Sequence, residues 1–77
     1  MNEIIRELAL ARAKFNDYHS THEALGVITE EYFELMDAVR ANDIEGCRKE
    51  ALQIAACCLR MVEDVCDKPN PLSLRGE

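Results

Sequence analysis

The stretch EEYFELMDAVRANDIEGCRKEALQ, residues 30–53, decides the fold of this chain. On both sides of the central AND, residues 41–43, apolar residues recur at helical spacing, and neither side alternates as a strand would. Asn42 or Asp43 can cap the helix that follows. Two helices joined by so short a connection pack antiparallel, so the stretch predicts a helical hairpin.

Outward from the hairpin, the sequence predicts an all-α fold of three helices. The second helix is expected at 21–41, because Ser20 and Glu23 have the spacing of a capping box at its start. The third helix is expected at 44–66. The first is expected at 2–16 and would pack across the hairpin. Its single apolar face consists of Ile4, Leu8, Ala11 and Phe15.

The 77 residues predict one small domain at 1–67, followed by a tail at 68–77 that contains both prolines. The tail is expected to be extended or disordered. A domain of this size buries a thin core and often needs a disulfide, a metal or oligomerisation. The four cysteines form no C-x-x-C pair, so a zinc or redox centre is the weakest interpretation and oligomerisation the favoured one.

Charge and hydropathy exclude several classes of partner. The net charge is −6 and the chain has no basic stripe, so binding to a nucleic acid polymer is not expected. No apolar run approaches the ~18 residues that a membrane helix needs, and there is no secretory signal. We therefore expect a cytoplasmic protein with reduced thiols and no membrane partner.

Several glutamates lie on or beside the predicted apolar faces. Glu50 shares a sector of the helical wheel with Cys57 and Met61, which places its carboxylate on the apolar face of the third helix. Glu31 and Glu34 flank the apolar stripe of the second helix. A buried carboxylate is costly unless it is paired, hydrogen-bonded or bound to a cation.

The hairpin would bring these side chains together. Glu34 and Glu50 each lie eight residues from Asn42, and Glu31 and Gln53 each lie eleven residues from it. The two pairs are therefore expected at matching heights, ~12 and ~16 Å from the turn. Their oxygens suit Mg²⁺. The geometry leaves open a second interpretation, in which the glutamates face solvent or pair with lysine and arginine.

Three segments resemble the MazG-like, all-α nucleoside triphosphate pyrophosphohydrolases, and most closely the short members found in phages and mobile elements. They are RAKF (residues 12–15), HEALGVITEEYFELMDAV (22–39) and EALQIAACCLRMVEDV (50–65). The resemblance covers roughly residues 9–67. It implies an oligomer, a homodimer or homotetramer, in which three-helix units assemble into a helical bundle.

The family pattern is E-E-x-x-E followed by E-x-x-D, and here its residues are Glu30, Glu31, Glu34, Glu50 and Gln53. The resemblance implies a hydrolase that converts nucleoside triphosphates to monophosphates and pyrophosphate with Mg²⁺ or Mn²⁺. It implies metal binding by Glu31, Glu34, Glu50 and Gln53, and a catalytic role for Glu30 and Glu31. Lys14 matches the end of the family's first helix, where it either approaches a phosphate or is solvated.

The chain departs from the family pattern at Gln53, where the family's enzymes have aspartate. A side-chain amide offers a neutral oxygen and no charge. An alternative function is therefore a non-catalytic helical oligomer, an interaction module that retains the MazG-like fold.

Other residues have simpler expected roles. Phe15 is expected in the core, and Tyr32 and Met36 in the core or a dimer contact. Asp64 shares a wheel sector with Gln53 and Cys57, which leaves open a place at the far end of a pocket, but a surface acid is the favoured interpretation. Arg60 is expected to pair with Asp64 one helical turn away, and the alternative is contact with a phosphate in an assembled oligomer.

Overall fold

The computed structural model describes residues 2–68, and within them the chain is helical apart from short connections. The helices are α1 (Glu3–Lys14), α2 (Thr21–Arg40) and α3 (Ile44–Met61), and α3 continues into a π-helical segment, Val62–Cys66. Residues 2–68 contain no strand, and none of their helices is long and apolar enough to cross a membrane. The all-α, three-helix prediction is confirmed. The predicted tail lies outside the described residues except for Lys68.

Each α-helix begins one residue after a side chain that caps it. Ser20 Oγ accepts a hydrogen bond from the N–H of Glu23 at 3.0 Å, and Asp43 Oδ1 accepts one from the N–H of Gly46 at 2.9 Å. Asn2 caps α1 in the same way. The cap predicted at Ser20 is therefore confirmed, and of the two candidates for α3, Asn42 and Asp43, the cap is Asp43.

The turn between α2 and α3 reverses the chain at Asn42, whose φ of 57° is in the left-handed region. Asparagine tolerates this conformation better than most residues. The N–H of Asn42 donates to Val39 O at 3.1 Å, and the N–H of Asp43 donates to Ala38 O at 3.0 Å. These two hydrogen bonds form a Schellman motif, which ends α2 and directs α3 back along it.

Helix α3 is the centre of the fold, because both α1 and α2 pack extensively against it. The ion pair of Glu3 with Arg48 and that of Arg12 with Asp64 lie at opposite ends of α1, so α1 runs parallel to α3. The expectation that α1 packs across the whole hairpin is wrong in one respect: α1 packs on α3 and not extensively on α2. A cleft remains between α1 and α2.

The core is thin, as expected for a domain of this size. The buried apolar residues are Leu8, Tyr18, Ala24, Ala56 and Cys57, and no large side chain among residues 2–68 is fully buried. One face of α2 remains exposed. Its large apolar residues, each 52–59% exposed, are Leu25, Tyr32, Phe33 and Val39.

Candidate metal centre and cleft

Three carboxylates meet where α2 and α3 face each other. Glu31, Glu34 and Glu50 each contribute one oxygen, and the three oxygens all lie within 4.8 Å of one another. Glu31 and Glu34 are three residues apart on α2, which places them on adjacent turns of one face. The convergence predicted from their distances to the turn is confirmed. We call these three residues the acidic cluster.

The amide of Gln53 completes the cluster, and its orientation decides its role. With the nitrogen towards the carboxylates, Gln53 donates hydrogen bonds to Glu31 Oε2 and Glu50 Oε1, both at 3.0 Å. With the amide turned over, the oxygen faces the same two carboxylates. That orientation is unfavourable without a cation, because oxygen then faces only oxygen. With a cation, the amide oxygen becomes a fourth ligand.

The environment of the acidic cluster raises the pKa of Glu31 to about 7. Burial is the largest cause, and the neighbouring carboxylates of Glu34 and Glu50 add to it. Among residues 2–68, no lysine or arginine nitrogen lies within 4.0 Å of the three carboxylates. Salt bridges within the described chain therefore do not account for the cluster.

The donor set fits a hard divalent cation. Octahedral Mg²⁺ binds oxygen at about 2.0–2.1 Å, so oxygens on opposite sides of the ion are about 4.2 Å apart. The carboxylate oxygens, all within 4.8 Å of one another, span little more than that. Glu31 and Glu50 are half-buried and Glu34 is exposed, which leaves one side of the cluster open to a ligand.

The acidic cluster lies in the cleft between α1 and α2. The cleft has a volume of about 770 Å³, within the usual range for small-molecule sites. On α3 its lining extends from Lys49 to Arg60. All six residues that the sequence singled out line it: Lys14, Glu30, Glu31, Glu34, Glu50 and Gln53.

Two of those six residues lie outside the cluster itself. Glu30 is exposed and lines the cleft, but its carboxylate is not among the three that converge. Lys14 is also exposed, and its Nζ lies 5.2 Å from the centroid of the Phe15 ring. The structure therefore places Glu30 and Lys14 on the lining of the cleft but outside the acidic cluster.

The loop between α1 and α2 closes one end of the cleft and is held by two buried charged residues. The N–H of Tyr18 donates to Asp64 Oδ2 at 3.0 Å, and Arg12 reaches Asp64 Oδ1 at 2.8 Å. Arg60 donates to the Tyr18 hydroxyl at 3.3 Å and to Asn16 O at 3.0 Å. These contacts fix the loop on the last turns of the third helix.

Three expectations about this region are wrong. Asp64 is 5% exposed and not a surface acid, and it pairs with Arg12, whereas Arg60 bonds the loop. Asp64 lies on the inward side of the third helix, and there Arg12 and the N–H of Tyr18 satisfy its carboxylate. Phe15 is 54% exposed in the cleft, because it follows the end of α1 in an extended conformation.

Tyr18 is the structural residue that the sequence analysis missed. An aromatic residue within the polar loop NDYHS is unusual, and that was the available signal. Asp64 also carried a signal, since it shares a wheel sector with Gln53 and Cys57 on the inward side of the third helix.

The fold and the cleft together define a class: a small all-α protein with an oxygen-rich acidic cluster between two helices. No family model, no curated protein and no solved structure matches this chain. Its function is therefore argued from the residues of the cleft.

Proposed function

We propose that this protein is a Mg²⁺- or Mn²⁺-dependent nucleoside triphosphate pyrophosphohydrolase, which releases a nucleoside monophosphate and pyrophosphate. The observation that carries the proposal is the acidic cluster, with no basic partner among residues 2–68, in a cleft of about 770 Å³. The resemblance of the E-E-x-x-E and E-x-x-Q segments to the MazG-like enzymes supports the reaction type.

Glu31, Glu34 and Glu50 would hold the cation, and Gln53 would turn its amide oxygen towards it. A bound Mg²⁺ or Mn²⁺ would neutralise charge on the substrate phosphates and lower the pKa of a bound water. Because Gln53 is neutral, the four side chains carry at most three negative charges, one fewer than a site with aspartate at this position. We therefore expect weaker cation binding than in an E-x-x-D site.

Glu30 and Lys14 would assist the reaction, one by proton transfer and the other by phosphate binding. Glu30, exposed on the lining of the cleft, would accept the proton of the attacking water. Lys14, on the opposite helix of the cleft, would approach a substrate phosphate. The side chains of these two residues are exposed, so substrate has access to both.

A second copy of the chain would cover the exposed face of α2. Leu25, Tyr32 and Val39 on this face repeat every seven residues, the spacing of helices that pair along a seam. Covering these half-exposed side chains would supply the apolar burial that the thin core lacks. The proposed protein is therefore a homodimer or a homotetramer.

One observation favours the alternative of a non-catalytic oligomer. The Gln53 amide nitrogen can bridge Glu31 and Glu50 at 3.0 Å each, which satisfies the acidic cluster in part without any cation. In that case Gln53 would be a structural residue, and the exposed face of α2 would be the functional surface.

Pyrophosphate release from a panel of nucleoside triphosphates with Mg²⁺ or Mn²⁺ tests the proposal. We expect release by the wild type and its loss in Glu50→Gln. Glu45→Gln removes the same charge from an exposed position of α3 outside this cleft and should leave the rate unchanged. No release from any nucleotide with either metal would favour the non-catalytic oligomer.

A further inference from the structure

The end of the cleft near the loop carries two positive charges that the acidic cluster does not use. Lys14 Nζ lies 5.2 Å from the centroid of the Phe15 ring, and Arg60 Cζ lies 5.8 Å from the same centroid. Within residues 2–68, no carboxylate oxygen lies within 4.0 Å of the charged nitrogens of Lys14 or Arg60. Both side chains line the cleft.

Arg60 is the unusual member of this pair. It is 4% exposed, and its Nε has no hydrogen-bond partner. Of the five N–H donors of the guanidinium, one bonds the Tyr18 hydroxyl and one bonds Asn16 O. A buried cation without a carboxylate in direct contact is costly, and Arg60 has donors left for an anion.

The neighbours of Arg60 offset its positive charge only in part, through the attraction of Asp64 at a distance beyond direct contact. Burial raises the pKa of Tyr18 above its usual value, so the phenol stays neutral. Its ring, 4.1 Å from Arg60 Cζ, gives a cation–π contact only. Asp64 already accepts hydrogen bonds from Arg12 and from the N–H of Tyr18.

We propose that Lys14 and Arg60 form an anion site that binds a phosphate group at the loop end of the cleft. Arginine presents a planar fork that suits phosphate oxygens, and lysine adds a mobile point charge. That the phosphate belongs to a nucleotide rests on the proposed function, whereas an anion of any kind would fit the two cations.

The position of this anion site separates it from the acidic cluster. Gln53 and Arg60 lie seven residues apart on one face of α3, about 10 Å along its axis. A phosphate at Arg60 would thus avoid close repulsion by the carboxylates. The ring of Phe15, 54% exposed, lies near both cations.

The test titrates inorganic pyrophosphate into the full chain at low ionic strength, without divalent cations and again with excess Mg²⁺, and follows binding by calorimetry. Lys14→Gln should weaken binding at least about tenfold, the effect of losing one charge-assisted hydrogen bond. Arg6→Gln removes the same charge from an exposed position of α1 outside the cleft, and it should leave binding unchanged.

Arg60→Lys is the second variant, since it keeps the charge and removes the fork. It should also weaken pyrophosphate binding, and its thermal melt reports whether the loop still packs. Equal weakening in Lys14→Gln and Arg6→Gln would overturn the anion site, because only net charge would then matter. Absence of binding to the wild type in both conditions would overturn it as well.

The anion site and the proposed function can fail separately. Pyrophosphate binding that depends on Lys14, in a protein that hydrolyses no nucleotide, supports the anion site and contradicts the enzyme. Hydrolysis with an unchanged KM in Lys14→Gln, and no pyrophosphate binding, contradicts the anion site and keeps the enzyme.

Discussion

Glu31 is the residue of the acidic cluster whose carboxylate is hardest to ionise. Its carboxylate is half-buried, two other carboxylates lie beside it, and its pKa is raised to about 7. In the folded protein Glu31 therefore holds a proton more tightly than in the unfolded chain, where its pKa is 4.5. The stabilisation from this proton is fully present below pH 4.5 and is lost as the pH rises to about 7.

The first prediction concerns this pH dependence. Without divalent cations, the wild type should lose stability between about pH 4.5 and 7, because Glu31 must then ionise next to Glu34 and Glu50. Glu31→Gln should lose less over the same range. Urea unfolding at a series of pH values measures both, and parallel curves for the two proteins would contradict the raised pKa.

Asp64 behaves in the opposite way. Burial alone would raise its pKa, but hydrogen bonds from the N–H of Tyr18 and from Arg12 outweigh burial and hold the pKa below the usual 3.8. Its contribution to stability is therefore present above pH 3.8 and is lost as the pH falls through the lower folded value.

A second prediction follows for the loop anchor. Asp64→Asn should destabilise the fold by about 2 kcal/mol, because it weakens two hydrogen bonds to a buried, charged acceptor. Glu63→Gln is the matched control, since Glu63 also binds Arg12 but is about half exposed, and it should cost less than about 1 kcal/mol. Urea unfolding compares the two variants. Equal losses would show that the burial of Asp64 does not matter.

Among the elements, the α2–α3 hairpin is what positions the acidic cluster. The cap at Asp43 and the left-handed Asn42 fix the register between the two helices. That register pairs Glu31 with Gln53 and Glu34 with Glu50 across the interface. A change in the turn should therefore affect both stability and the cluster.

The third prediction tests the turn. Asp43→Ala should cost about 1 kcal/mol, because the N–H of Gly46 loses its acceptor at the start of α3. Glu45 is exposed and lies two residues after Asp43, in the first turn of α3, so Glu45→Ala should cost only a few tenths of a kcal/mol. Thermal unfolding of both proteins decides, and a loss at Glu45 as large as that at Asp43 would contradict the cap.

The sequence predicted those parts of the structure that depend on local rules. Helical spacing, the Ser20 and Asp43 caps and the equal distances from Asn42 were enough to place Glu31, Glu34, Glu50 and Gln53 together. The loop end was not predictable in this way. The wheel position of Asp64 indicates that it faces inward, but its partners Arg12 and the N–H of Tyr18 are brought to it by the tertiary fold, and a periodic pattern carries no information about them.

The exposed face of α2 is an apolar surface of the molecule that the described residues leave open to solvent. Tyr32→Glu would place a charge at the middle of this face, where Tyr32 is 52% exposed. If a second copy covers the face, the variant should dissociate or associate at least about tenfold more weakly. Sedimentation equilibrium over a range of concentrations measures this change.

The control for association is Ile5→Glu. Ile5 is an apolar residue of α1, 45% exposed and away from the exposed face of α2, and its replacement introduces the same negative charge. It should leave association unchanged. A wild type that is monomeric at every concentration would contradict the proposed homo-oligomer.

The proposed function requires a divalent cation at Glu31, Glu34, Glu50 and Gln53, and thermal melting with and without excess Mg²⁺ or Mn²⁺ detects such a cation. Binding to the folded state stabilises it, by about 2.7 kcal/mol at a hundredfold excess over Kd. We predict a rise in Tm for the wild type and for Glu45→Gln, and none for Glu50→Gln. No rise in the wild type, or an equal rise in Glu50→Gln, would contradict a cation at these carboxylates.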